Sequence, residues 1–444
     1  MRTLSKPTLK ALLVFSLALA LLVPGYYGNT WRAAGKKWFV DWQKFHENLV
    51  VARLVQSRQA GIFSYGALLG FGDLTTWEYN ASVIDHEYEL FANGGEFKAY
   101  WPYQSVPGLQ AIPFSLLDTQ AGLAPATTLK VFRLGEALLT AIVLGGFLLW
   151  ILAEFGLVAA LVTLAFLAAS EWLTLFGANF YWNLWAFYLP LVALAFYLRR
   201  FAVTGQPRPR DIFWILAVTL LLKGLVNGFE FVSAALILPF APLVYQALQA
   251  RWPWKVFLSR FAAAALGALT GTLAALAILA TQIASVLGGW PAALAFIAHT
   301  LGKRSFGNPA LYSPSEAESL RANLFSILWT YLNGRALNLN GPLGLNLPGL
   351  EISYLQLLLS FALVSLVFLL RDRFWGGFPN RQVALALLAA TWFSLLAPLS
   401  WFVLFKAHSY IHTQINFILW QMPFTLFGFA FCGLVLGSFF QTKK

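Results

Sequence analysis

FAAAALGALTGTLAALAILATQIAS, residues 261–285, runs for 25 positions without one charged side chain. About 20 apolar residues in helix cross the hydrocarbon of a bilayer, so this stretch reads as a membrane span. Comparable windows lie at about 9–26, 131–152, 155–173, 181–198, 212–228, 231–248, 353–370, 382–402 and 416–438. The weakest is 212–228, which Lys223 interrupts, and 319–334 reads as a further re-entrant or interfacial helix. The expected fold is an all-α polytopic membrane protein of about 10 transmembrane helices, one integral membrane domain over 1–444.

Composition agrees. The 444 residues are 59% hydrophobic and 11% charged, against roughly 25% charged in soluble domains. Leucine, alanine and phenylalanine runs of this length favour helices over barrel strands, which alternate over about ten residues. Eighteen tryptophans and fifteen tyrosines suit many membrane–water boundaries. The net charge of +12 is scattered between spans, which argues against a nucleic-acid partner. Cys432 is the single cysteine and excludes an intrachain disulfide and a CxxC metal site. MRTLSKPTLKALLVFSLALALLVPGYYG at the N-terminus has the build of a signal peptide. With further spans behind it, it is expected to stay as an uncleaved first helix; a cleaved signal is the alternative.

Basic residues orient the spans. Arg2, Lys6 and Lys10, the arginines of RRFAVTGQPRPR (199–210), Arg251, Lys255, Arg260, Arg371, Arg373, Arg381, Lys443 and Lys444 all fall on one side of a ten-span chain. That places both termini in the cytoplasm. The opposite side has loops at about 27–128, 286–351 and 403–415, which hold all five histidines and, in the first, nine of the eighteen acids. Titratable chemistry is expected on that external or periplasmic face, in the plasma membrane of a prokaryote. The halves show no internal repeat of the transporter kind.

Three external stretches carry candidate chemistry. WFVDWQKFHENLVVARLVQSRQ (38–59) reads as a helix in the membrane interface. Trp38, Trp42, Phe45, Leu49 and Ala52 share one face, and Asp41, Lys44 and Asn48 share another. Asp41 can take a proton from a hydroxyl nucleophile as general base, or simply pair with Lys37 or Lys44; His46 and Glu47 are the secondary acid/base candidates. FKAHSYIHTQINF (405–417) sets His408 and His412 four apart beside Lys406. A phosphate pocket fits these residues better than a zinc pair, which would need a third ligand; interfacial histidines satisfied locally are the plain alternative. HTLGKRSFGN (299–308) and YLNGRALNLNG (331–341) add Lys303, Arg304 and Arg335, and the arginines suit bidentate phosphate contacts.

Lys223 and Glu230, seven apart in LLLKGLVNGFEF (220–231), share a face if the helix continues. They read as a structural pair or a wall of the external cavity. ANFYWNLW (178–185) places Asn179 and Asn183 to line the same cavity, with Tyr103, Gln104 and Gln110 of YWPYQSVPGLQ (100–110).

The layout resembles the GT-C superfamily of membrane glycosyltransferases, which includes protein O-mannosyltransferases, lipid A aminoarabinose transferases and the oligosaccharyltransferase catalytic subunit. The shared features are a cytoplasmic N-terminus, a first span, a long first external loop with interfacial helices, and a run of further spans. The resemblance implies a sugar donor on polyprenyl phosphate, transfer to an acceptor hydroxyl of a glycan, lipid or protein, and inversion at the anomeric carbon. It places the catalytic acid at Asp41 in FVDWQKFHEN, with Glu47 second, and likens the YWPYQSVPGLQ segment to the end of the family's first loop. Arg304, Arg335, Lys406, His408 and His412 would bind the lipid phosphate. The first loop has no DxD, no adjacent Asp-Glu pair and no WWDYG-like segment. A divalent metal, magnesium or manganese, stays open as cofactor, with DHEYE (85–89) the only acid cluster for it. Competing readings are a transporter or flippase for a lipid-linked glycan, an O-antigen-type polymerase or ligase, and a non-enzymatic scaffold.

Overall fold

All ten apolar windows lie on helix in the computed structural model, which describes residues 6–74, 80–204, 206–374, 378 and 380–440. Arg2, Glu78, Lys443 and Lys444 of the charge pattern lie outside the described residues. Among those described, eight helical segments are long and apolar enough to cross a membrane: Pro7–Gly28, Pro125–Phe155, Leu184–Phe201, Val232–Gln249, Trp254–Leu287, Tyr354–Phe374, Arg381–Leu404 and Thr413–Phe439. The 155–173 window folds as Leu157–Ala169 and Glu171–Gly177, bent by 70°, and makes a ninth if the pair is one span. The bend falls at Ser170, whose hydroxyl accepts from the Leu173 N–H to start the second helix.

Against the expected count of about ten, eight or nine helical segments among the described residues are long and apolar enough to span. The shortfall comes from the 212–228 window, whose helix Pro209–Asn227 carries Arg210, Asp211 and Lys223. The 319–334 region also splits, into Pro314–Arg321 and Leu324–Asn333, each too short to span.

Leu266, Leu269 and Leu273 are exposed along one helix face, as are Leu359, Leu363 and Leu366 along another. Such stripes would drive association in water; here they face lipid, and the chain is a multi-pass membrane protein. Helices meet through small residues. A Cβ built on Gly267 would collide with the Phe213 carbonyl, and one on Gly271 with the Ala217 carbonyl, so Trp254–Leu287 lies directly on the backbone of Pro209–Asn227. Close backbone approach of this kind holds helices together in a bilayer. Gly271→Leu is expected to cost ~3 kcal/mol, the upper end of ordinary overpacking, because rigid backbone opposes it; thermal unfolding in detergent measures it.

Outside the spans, two short antiparallel ladders among the described residues tie the connecting segments: Gly70–Gly72 with Tyr100–Pro102, and Arg335–Asn338 with Glu351–Ser353. The helix Lys36–Ala60, expected in the membrane interface, buries its second half inside the protein. From Glu47 to Ser57 every residue is buried, polar ones included. The charges of its second half are satisfied inside the protein rather than by water. Arg53 donates to the carbonyls of Gly61, Ile62 and Ser64, Glu47 pairs with Arg133, and Arg58 pairs with Asp118.

Candidate functional site

A cavity of about 900 Å³ opens between the segments that connect the spans. The Lys36–Ala60 helix contributes Phe45, His46 and Leu49, and the second ladder strand region gives Trp101, Tyr103 and Gln104. Tyr181 and Trp182, Glu230, Lys303 and Arg304, Glu316, and His408 and His412 complete its chemistry. Residues far apart in sequence thus meet at one place.

The turn bearing Glu230 is held from three directions. Helix Pro209–Asn227 stops because Gly228 takes φ +63°, with the Ser105 carbonyl where a Cβ would stand; glycine alone tolerates both. Phe231 is also left-handed, at φ 56°. Buried Lys223 donates to the carbonyls of Gly228 at 3.0 Å and Glu230 at 2.6 Å. The anticipated Lys223–Glu230 pair is thus ammonium to backbone, and the Glu230 carboxylate is released to the cavity.

That carboxylate receives Arg304, whose Nη1 donates to Oε1 at 2.7 Å. Its Oε2 lies 3.4 Å from His408 Nε2 and, although buried, accepts no hydrogen bond among the described residues. Burial alone would raise this carboxyl, but the adjacent guanidinium outweighs it and holds the group at about 2. Beside the pair, Lys303 meets Glu316 at 3.2 Å, and Glu316 closes the capping box on Ser313.

The histidines are kept neutral. Burial pushes His46 down to about 3, partly offset by the Trp42 carbonyl near its Nδ1. Burial also lowers His408 and His412, whose rings stand 4.7 Å apart. In the unfolded chain these histidines protonate near pH 6.5, whereas in the fold they resist. Unfolding therefore takes up protons, and stability is lost as pH falls below about 6.5. The midpoint of thermal unfolding is expected to drop between pH 7.5 and 5, and His46→Gln to flatten that slope.

Two asparagines shape the aromatic wall without reaching the cavity. Asn179 Oδ1 accepts from the Tyr181 and Trp182 N–H groups. Asn183, at φ 44°, returns its amide to the Phe180 and Tyr181 carbonyls. Tyr181 and Trp182 consequently meet edge to face at 5.1 Å on the cavity side.

Several anticipated residues lie elsewhere. Asp41, expected as the base, is half exposed, pairs with Lys37 at 3.0 Å and is absent from the cavity wall. Glu47 is fully buried in its ion pair with Arg133 and bonded by the Tyr88 hydroxyl. Arg335 is engaged by Glu171 and Glu351, and Lys406 donates to the Ala322 carbonyl at 3.1 Å. Gln110 is buried off the cavity, its amide without a hydrogen-bond partner among the described residues. Arg304, His408, His412, His46, Tyr103 and Gln104 do converge there.

The residues of DHEYE do not fit a magnesium or manganese site. Asp85 pairs with Lys44, His86 with Asp73, and Glu87 accepts from the Gly72 N–H and the Asn48 amide. Among the described residues no group of three or more His, Cys, Asp or Glu side chains is placed to hold a metal ion. Comparison with protein-family models, curated proteins and solved structures gives no match.

Proposed function

We propose that the chain is a membrane glycosyltransferase of the GT-C type, moving a sugar from a polyprenyl-phosphate donor to an acceptor hydroxyl on the non-cytoplasmic face. The observation that carries this reading is the cavity itself, where aromatic walls, amide and phenol side chains, two cations and a carboxylate with a free oxygen face one space. Trp101, Tyr181 and Trp182 offer flat apolar surface for a sugar or an isoprenoid. Arg304 and Lys303 offer charge to a phosphate, and Arg304 does so with a planar fork.

Glu230 replaces Asp41 as the base. In the step, the acceptor hydroxyl gives its proton to Glu230 Oε2 as its oxygen bonds to the anomeric carbon. The bond from that carbon to the phosphate oxygen breaks, and the phosphate leaves with the electron pair, its added charge met by Arg304. The transporter reading drew on Lys223 and Glu230 as an intramembrane pair; Lys223 donates to the Gly228 and Glu230 carbonyls.

The test is a transfer assay in nanodiscs with radiolabelled polyprenyl-phosphate sugars and crude membrane acceptors. Consumption of a donor with label appearing in acceptor supports the reading. Labelled lipid crossing the bilayer of reconstituted vesicles, with every donor intact, replaces it with transport.

A further inference from the structure

In the cavity the charges already cancel: Arg304 is bound by Glu230 and Lys303 by Glu316, while burial keeps the three histidines neutral. A phosphate entering this space finds no free cation among the described residues that line it. A second difficulty is geometric. If transfer inverts the anomeric carbon, base and leaving phosphate stand on opposite faces of the sugar, yet here the base is in contact with the phosphate's arginine.

Both difficulties have one resolution. Glu230 Oε2 already points toward His408, 3.4 Å from its Nε2, and is without a hydrogen bond. Resting on the transferase reading above, we propose that the Glu230–Arg304 ion pair is a self-ligand that the phosphate group of the incoming substrate displaces, Arg304 passing to the phosphate and Glu230 swinging to His408. The exchange couples substrate arrival to activation of the base. Paired with Arg304, the carboxyl is held at about 2 and is a poor proton acceptor. Released into the same buried space, it loses that stabilisation and burial raises it. The groups facing it are then His408 and His412 from the segment before the last span and Lys303 beside Arg304. Without phosphate the cavity stays closed on itself and the base silent.

The experiment is direct binding to the full chain in nanodiscs. Two probes are used, inorganic phosphate and the monophosphate of a long isoprenoid alcohol, on wild type, Glu230→Gln and Arg304→Gln. Glu230→Gln frees the guanidinium, so both probes should bind about tenfold tighter than to wild type. Arg304→Gln should bind neither. Equal or weaker binding by Glu230→Gln overturns the displacement and leaves the transferase reading to its own assay. Binding of the isoprenoid phosphate that Arg304→Gln does not impair removes the phosphate site, and with it the reading beneath. Tightening for inorganic phosphate but not for the isoprenoid assigns the site to a free phosphate. Should Glu230→Gln fail to fold, Glu230→Asp, whose carboxylate stops one methylene short of Arg304, should shift binding in the same direction, and no shift counts against the proposal.

Discussion

Glu230→Gln is expected to leave a folded protein that transfers sugar about 10²–10⁴-fold more slowly, the range a positioned general base supplies. The amide matches the acid in shape but carries no charge to hold Arg304, and it cannot take the acceptor's proton. The loss should fall on kcat, because the substrate's phosphate binds at least as well once its competitor for Arg304 is gone. A structural role for Glu230 predicts a different result, loss of both binding and turnover together with a lowered unfolding midpoint. Asp41→Asn provides the contrast. Asp41 is half exposed and pairs with Lys37, a pair of the kind that contributes little, so this variant should transfer within about twofold of wild type.

Arg304→Gln has the second large effect, and of another kind. Removing one preorganised donor to a developing oxyanion costs about 10²–10³ in rate, and here the same residue also binds the ground-state phosphate. Its KM should rise and its kcat fall together, whereas Glu230→Gln lowers kcat without raising KM. Arg304→Lys should rescue only part of the loss, since an ammonium cannot bind phosphate with two parallel hydrogen bonds. Arg335→Gln and Lys406→Gln should leave KM unchanged, as Glu171, Glu351 and the Ala322 carbonyl already hold those side chains away from the cavity.

The spans were legible because a bilayer demands length and apolarity, and both are local properties of sequence. The window 261–285 reads the same in isolation as in the fold, and GALTG within it carries the small-residue spacing that sets Gly267 and Gly271 on the neighbouring backbone. The site was legible in part. His408, His412 and Arg304 were found as cations and donors on one side of the chain, and they meet.

Asp41 lies off the cavity for a physical reason. A helical wheel for residues 38–59 separates two faces without saying which of them meets the Glu171–Gly177 region, and Trp42 and His46 turned inward while Asp41 turned out. Glu230 was read with Lys223 through a seven-residue helical spacing. That spacing lapses at Gly228, where the left-handed turn ends the helix and sends the carboxylate away from the ammonium. An acid between two apolar helices is costly unless it is paired, and this was the available signal that Glu230 had a partner elsewhere in the chain.

Everything functional above rests on the cavity being where sugar leaves a lipid phosphate. The most direct measurement compares wild type, Glu230→Gln and Asp41→Asn in one nanodisc transfer assay with radiolabelled polyprenyl-phosphate sugars. Turnover by wild type and Asp41→Asn, with Glu230→Gln folded and silent, is the predicted result. Turnover that survives in Glu230→Gln and vanishes in Asp41→Asn would contradict it and move the chemistry out of the cavity.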